Sequence, residues 1–473
     1  MINKAFYLGL GMIALSTTEM SSKETPNIIL IMADDMGWGD VGFNGNTIIK
    51  TPNLDALAAD GLIMQRFYAG APLSSPTRAS VLTGRNAFRS GIFSANVGLL
   101  REEETTVAEL LKTGGYATGM FGKWHLGTLT YEEKDANRGR PENKHLYNPP
   151  SRHGFDASFV AESKVPTFDP MLQPVTNDGN FWDYIREGEP AKAYGTAYWN
   201  HEGERVTQDL SGDDSRVIMD RVFPFMDKSI NDTTPFLSVI WFHTPHLPCV
   251  AGPEHVAQYE NLSVEERNYY GCITALDEQI GRLVNYLKAK GEYNNTIILF
   301  CSDNGPELET PGSPGRFKGK KRSLYEGGIR VPSIICWPDK IKGGSQLAEP
   351  CSTNDYLPTL LDITGIASGN IHFDGESIWP MITQGTKRNN PLVFCSGKQG
   401  AVIDSTYKLY YSKGKFELYD IPADSEEEND IITLHPNESK KLQTLLKQTM
   451  EDYKRSFDSI GEGNWQKWWN IWD

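Results

Sequence analysis

Four short apolar runs, each ending in residues able to hold a cation, an anion or a proton, restrict the fold of this chain more than any other feature. Residues 27–33 (NIILIMA) run into Asp34-Asp35, and residues 117–121 (ATGMF) into Gly122-Lys123-Trp124-His125. Residues 236–242 (FLSVIWF) run into His243-Thr244-Pro245-His246, and residues 296–301 (TIILFC) into Ser302-Asp303-Asn304-Gly305. A fifth run, 331–336 (VPSIIC), has the same texture. Such runs read as strands buried on both faces. Amphipathic helices alternate with them and announce themselves by their caps. Thr51-Pro52 starts one, and Thr106-x-x-Glu109 is a capping box closed by Gly114-Gly115. Ser263-x-x-Glu266 opens a longer helix with Ile273, Leu276, Ile280, Leu283 and Leu287 on one face. The expected fold class is α/β: a large mixed, mostly parallel sheet sandwiched by helices. Ligands of open α/β sheets bind beyond the carboxyl ends of the strands, so these four polar ends are predicted to meet at one edge.

Their chemistry sorts by softness. Asp34, Asp35, Asp303 and Asn304 are hard oxygen donors that suit Ca²⁺, and Mg²⁺ less well. Zinc would want His or Cys at metal spacing with these carboxylates. Without a cation, several carboxylates at one edge would repel each other. Lys123, His125 and His246 read as an anion clamp and an acid/base set. Ser74 in APLSSPTRASVLTGR stands where a turn enters a helix near Pro76. Two readings fit that place: a helix cap, or a nucleophile at a terminus that favours anions. The net charge of −15 argues against general nucleic-acid or anionic-membrane binding but not against an anionic small substrate.

Other segments bear on organisation. Lys4 precedes an apolar run over residues 5–15 that is too short to span a bilayer and has the order of a secretory signal, so export to the periplasm or medium is expected. The expected domains are a signal peptide over 1–22, a catalytic domain over 23–385 and a C-terminal α+β subdomain over 386–473. That subdomain would hold short antiparallel strands and a helix over about 438–457. Residues 129–215 break the α/β rhythm and read as an irregular insertion that builds a pocket or lid. Its aromatics Trp182, Tyr184, Tyr194, Tyr198 and Trp199 are candidates to stack on a sugar, and Arg152 and His153 to touch the substrate. Trp465, Trp468, Trp469 and Trp472 are expected to dock on the main domain. The six cysteines show no metal spacing and read as buried small hydrophobes.

The segment around Ser74 resembles the signature of the formylglycine-dependent (type I) sulfatases of the alkaline phosphatase superfamily. Ser74, Pro76, Arg78, Thr83, Gly84 and Arg85 match it in register. The resemblance extends to PNIILIMADDMGWGD, GKWHLG, HTPHLP, CSDNG, KRSLYEGGIRVP and FELYDIPADSEEEND, and so covers nearly the whole chain. It departs at Ser74, where the larger branch of the family has Cys. Serine there matches a bacterial branch matured by an anaerobic radical enzyme; an engineered or degenerate Ser74 are the competing readings.

The resemblance implies an alkaline-phosphatase-like fold and a sulfuric ester hydrolase, most naturally one acting on a sulfated sugar. In it, Ser74 is oxidised to formylglycine by a sulfatase-maturing enzyme, and its hydrate attacks sulfur. Asp34, Asp35, Ser74, Asp303 and Asn304 would hold Ca²⁺. Lys123 and Lys321 would neutralise the sulfate, with Lys318 and Lys320 as rivals for the second position, and Arg78 would orient the hydrate. His246 would protonate the leaving oxygen and His125 would withdraw the proton that expels sulfate. An unmodified serine ester lacks the second hydroxyl needed for that expulsion. The implied alternatives are an arylsulfatase, a phosphonate or phosphodiester hydrolase, and a non-catalytic sulfated-glycan-binding protein that is never matured.

Overall fold

The computed structural model describes residues 25–176, 179–461 and 466–473. The expected signal peptide and Trp465 lie outside the described residues. The main sheet is built from β1 (Asn27–Ala33), β2 (Leu62–Met64), β3 (Ala117–Lys123), β4 (Ala157–Ala161), β5 (Tyr198–Asn200), β6 (Arg205–Val206), β7 (Phe236–Trp241), β8 (Thr296–Ser302), β9 (Ser333–Cys336) and β10 (Ser345–Leu347). Their spatial order is β10-β2-β9-β8-β1-β7-β3-β4-β5-β6. The centre, β8-β1-β7-β3-β4, is parallel throughout. Antiparallel partners flank it on both sides, β9 against β8 and β5 against β4.

Alternate residues of each central strand enter opposite cores, as the period of two demands. Ile28, Leu30 and Met32 face one side with Leu237, Val239, Ile297 and Leu299. Ile29 and Ile31 face the other with Phe236, Ile240, Ile298 and Phe300. The first core is covered by α2 (Ser74–Thr83) and α3 (Val107–Thr113), the second by α1 (Pro52–Asp60), α4 (Asp214–Asn231) and α5 (Val264–Lys290). Both expected capping boxes form, Thr106 with Glu109 and Ser263 with Glu266. Residues 129–215 are more than a lid. Within them β4 closes the parallel core of the sheet, and β5 buries Tyr198 and Trp199. Those two rings, and the 8 % exposed Trp182, are therefore structural and present no face to a sugar.

A separate antiparallel sheet runs β11 (Leu392–Ser396), β12 (Gln399–Ile403), β13 (Tyr407–Ser412) and β14 (Lys415–Asp420) in order, and α6 (Pro436–Asp458) packs on it. Of the C-terminal tryptophans, Trp468 meets Phe88 and Phe93 edge-on and Trp469 stacks on Phe93 at 5.6 Å, both over the region after α2. Trp472 packs instead on Tyr411 and Phe416 of the C-terminal sheet and not on the main domain. All six cysteines are free and buried. No helix among the described residues is long and apolar enough to cross a membrane.

Candidate active site

The parallel strands continue as a backbone ladder past their formal ends, and that ladder places the polar residues. Asp34 N–H bonds to Thr244 O at 3.0 Å, Asp303 N–H to Ala33 O at 3.1 Å, and His125 N–H to Glu162 O at 2.8 Å. Two site residues, Asp35 and His125, sit at φ +66° and +57°, left-handed conformations that cost a non-glycine residue about 1 kcal/mol or more and concentrate at functional sites. Within β3, just before Lys123, Gly122 sits at φ +97°, where a Cβ would lie 2.0 Å from Trp241 O.

Seven of the ten predicted site residues are fully or almost fully buried and in contact. Ser74 Oγ donates to Asp34 Oδ1 at 3.3 Å and lies 3.5 Å from Asn304 Oδ1. Asn304 Nδ2 donates to Asp35 Oδ1 at 2.7 Å, and Asp35 N–H to Asp303 Oδ1 at 3.0 Å. Lys123 Nζ is 2.6 Å from Asp34 Oδ2, and Arg78 Nη2 is 2.8 Å from Asp303 Oδ2 and 3.5 Å from Asp34 Oδ1. The Arg78 guanidinium also lies over the Trp241 ring at 5.1 Å.

The remaining three join the same cluster. Lys321 Nζ is 2.7 Å from Asp35 Oδ2 and 3.3 Å from Glu307 Oε2. His246 Nε2 is 3.7 Å from Asp35 Oδ2. His125 lies within electrostatic reach of Lys123, Arg78 and His246. The rivals Lys318 and Lys320 bond to backbone carbonyls of Glu427 and of Thr310 and Gly312.

Neither Ser74 nor Ser75 caps α2. The helix begins at Ser74 itself, two residues before the expected start, with Leu73 as an uncapped N-cap. Ser75 Oγ instead donates to His125 O at 2.7 Å, and the Ser74 hydroxyl faces the acidic cluster.

Burial and neighbours set the charges. Burial raises the Asp34 pKa, but Lys123 and Arg78 outweigh it and hold the group well below the usual carboxylate range. Asp303 is pushed up by burial and by Asp34. Two carboxylates in that conflict fit a divalent cation, which would relieve it, and the donors around Ser74 Oγ are all oxygens. Oxygens of Asp34 and Asp35 and a ring nitrogen of His246 also lie within 4.8 Å of one another. Burial works against the Lys321 charge, yet Asp35 and Asp34 raise its pKa to about 12. Burial lowers His246 to about 3 despite Asp35, with Lys123 and Lys321 adding to the shift. Its Nδ1 lies 2.7 Å from Leu247 O, which can only accept, so the neutral ring carries its lone pair on Nε2.

Other candidates lie elsewhere. His243 is fully buried, with Nδ1 2.9 Å from Asp214 Oδ2. His153 is fully buried against Asn148, and exposed Arg152 pairs with Glu102. Sequence reasoning missed Glu307, which pairs with both Lys321 and Arg322. It also missed Asn96, which bonds to the His125 ring. Glu307 follows the Asp-Asn-Gly turn by two residues, a cue that could have been used; Asn96 lies in a loop with no such cue.

Comparison with known proteins adds independent findings. A sequence profile described as Sulfatase matches residues 26–366, and one described as N-sulphoglucosamine sulphohydrolase, C-terminal, matches residues 315–456. The N-acetylgalactosamine-6-sulfatase of Sus scrofa is 30% identical over 396 residues, covering 79% of this chain and 69% of its own length. The steryl-sulfatase of Rattus norvegicus is 28% identical, covering 83% and 78%. The solved structure of Ps i-CgsB in complex with k-i-k-neocarrahexaose has a TM-score of 0.76 at 28% identity, covering 93% of this chain and 94% of that one.

Proposed function

Because the chain belongs to the sulfatase family and is a sulfuric ester hydrolase, we propose that its substrate is a sulfated sugar and that its nucleophile is formylglycine made from Ser74. The observation that carries this reading is the place of the Ser74 hydroxyl: buried, uncapped, and 3.3 Å and 3.5 Å from two hard oxygen ligands. Support for a sugar comes from similarity to an N-acetylgalactosamine-6-sulfatase and to a carrahexaose-bound structure.

Asp34, Asp35, Asp303 and Asn304 would hold a calcium ion with residue 74. Bound there, the ion would supply positive charge to the sulfate oxygens and to the hydroxyl of residue 74. Formylglycine supplies a hydrated aldehyde, whose second hydroxyl permits release of sulfate. The chain's own residues do the rest. Lys123 and Lys321, each fixed by a carboxylate, bind the sulfate oxygens without reorganising as charge shifts. Arg78 is locked between Asp303, Asp34 and Trp241 and orients residue 74. Once the anionic ester offsets Lys123 and Lys321, His246 takes up a proton from solvent at Nε2 and gives it to the departing sugar oxygen. His125 takes the proton whose loss expels sulfate.

The test is to co-express the chain with an anaerobic sulfatase-maturing enzyme and measure the mass of the peptide that contains residue 74. A residue lighter than serine by the two hydrogens that oxidation removes is expected. Sulfate release from defined sulfated monosaccharides should then exceed that from 4-nitrophenyl sulfate, and phosphonate turnover should be far slower. Intact serine with no turnover, or faster phosphonate cleavage, would overturn the reading.

A further inference from the structure

Asn96 stands at the tip of a turn over 94–97, in which Val97 N–H bonds to Ser94 O at 3.2 Å. It is exposed, and its φ of +61° is a left-handed conformation that asparagine tolerates better than most residues. Its side-chain oxygen lies 2.9 Å from Nε2 of His125 and accepts a second bond, 3.1 Å, from Asn137 Nδ2. An amide oxygen can only accept, so Nε2 carries the proton and the neutral ring keeps its lone pair on Nδ1. That Nδ1 is buried and has no hydrogen-bond partner, in a ring that is 4 % exposed. A buried polar atom without a partner is costly unless another group comes to meet it. The backbone of His125 is in turn tied to the residue after the nucleophile position by Ser75 Oγ.

Resting on the sulfatase reading above, in which His125 withdraws a proton at residue 74, we propose that Asn96 is a positioning residue that holds the His125 ring as the Nε2–H tautomer. Nδ1 is then the lone pair presented to the reacting group. The tautomer, and not only the place of the ring, decides whether a histidine acts as a base at a given atom.

Two substitutions separate this role from a role in the turn alone. Asn96→Gly keeps the left-handed backbone and deletes the acceptor, whereas Asn96→Asp keeps an acceptor oxygen at the same reach. In matured enzyme, Asn96→Gly is expected to lower kcat by about tenfold or more with KM within about twofold, and Asn96→Asp to stay within about threefold of the parent. Nitrogen NMR of histidine-labelled, unmatured protein reads the tautomer without turnover, with His125→Gln identifying the signal. The parent should show the Nε2–H form and Asn96→Gly a mixture. A parent in the Nδ1–H form, or full kcat in Asn96→Gly, overturns the proposal. Absence of sulfate release from the matured parent would overturn the sulfatase reading and the proposal with it, and it would be seen before any change at Asn96 is made.

Discussion

Around residue 74, three carboxylates and three cations are buried together, and each side chain is held by its opposite charge. Arg78 is fully buried and its guanidinium is matched by Asp303 at 2.8 Å; lysine could not reach the same partners while lying flat on Trp241. Asp303 does two tasks, since its other oxygen accepts the Asp35 N–H. Replacing it by alanine therefore removes a proposed metal ligand and leaves Arg78 short of its nearest partner. Asp303→Ala is expected to lose bound calcium in elemental analysis and to lower kcat by about 100-fold or more. Calcium retained at full stoichiometry would take Asp303 out of the ligand set. Asp34, Asp35, Lys123 and Asp303 were legible because each follows an apolar run, whereas Arg78 and Lys321 were named only through the family resemblance. That the Ser74 hydroxyl faces them and does not cap its helix was not legible, because its partners Asp34 and Asn304 lie 40 and 230 positions away.

Elements carry the site by their ends. The helix α4 begins under Asp213, whose Oδ1 accepts the Arg216 N–H at 2.8 Å. Burial, opposed by that N–H and reinforced by Asp214, raises the Asp213 pKa from 3.8 to about 8. A carboxyl raised in the fold contributes stability that is fully present below pH 3.8 and is lost as pH rises through about 8. Asn caps helices equally well and never ionises. Asp213→Asn should thus be more stable than the parent at pH 9, on the order of 1 kcal/mol or more, with the gap closing toward pH 4. Thermal midpoints across that range check it, and coincident curves would show that Asp213 ionises as an ordinary carboxyl. Capping boxes and a Pro at a helix start made three helices readable, those beginning at Pro52, Val107 and Val264. The strand β4 was not readable, because five residues inside a polar stretch gain their strand character only from pairing with β3.

Across the whole molecule, the C-terminal sheet is bolted to the loop that carries Lys321. Lys408 on β13 is fully buried and pairs with Glu326 at 2.9 Å and Glu427 at 2.8 Å, while Glu326 also meets Arg330 and Tyr68. The loop behind Lys321 closes so tightly that a Cβ on Gly327 would lie 2.2 Å from Gly319 O. Lys408→Met would leave Glu427 without a cation in the interior and Glu326 with Arg330 alone, and is expected to cost roughly 3–5 kcal/mol. The thermal midpoint should fall and KM rise as Lys321 loosens; an unchanged KM would show that the loop holds itself. The chain by itself determined which residues are strands with polar ends and the hardness of the donors, because those rest on local periodicity and side-chain chemistry, and its motifs carried the resemblance to the sulfatase family. Only the tertiary structure decided that Lys321 and not Lys318 or Lys320 reaches Asp35, that Tyr198 and Trp199 are buried, and that Asn96 meets His125. Those outcomes depend on distances between segments far apart in the chain, and distance is set by packing.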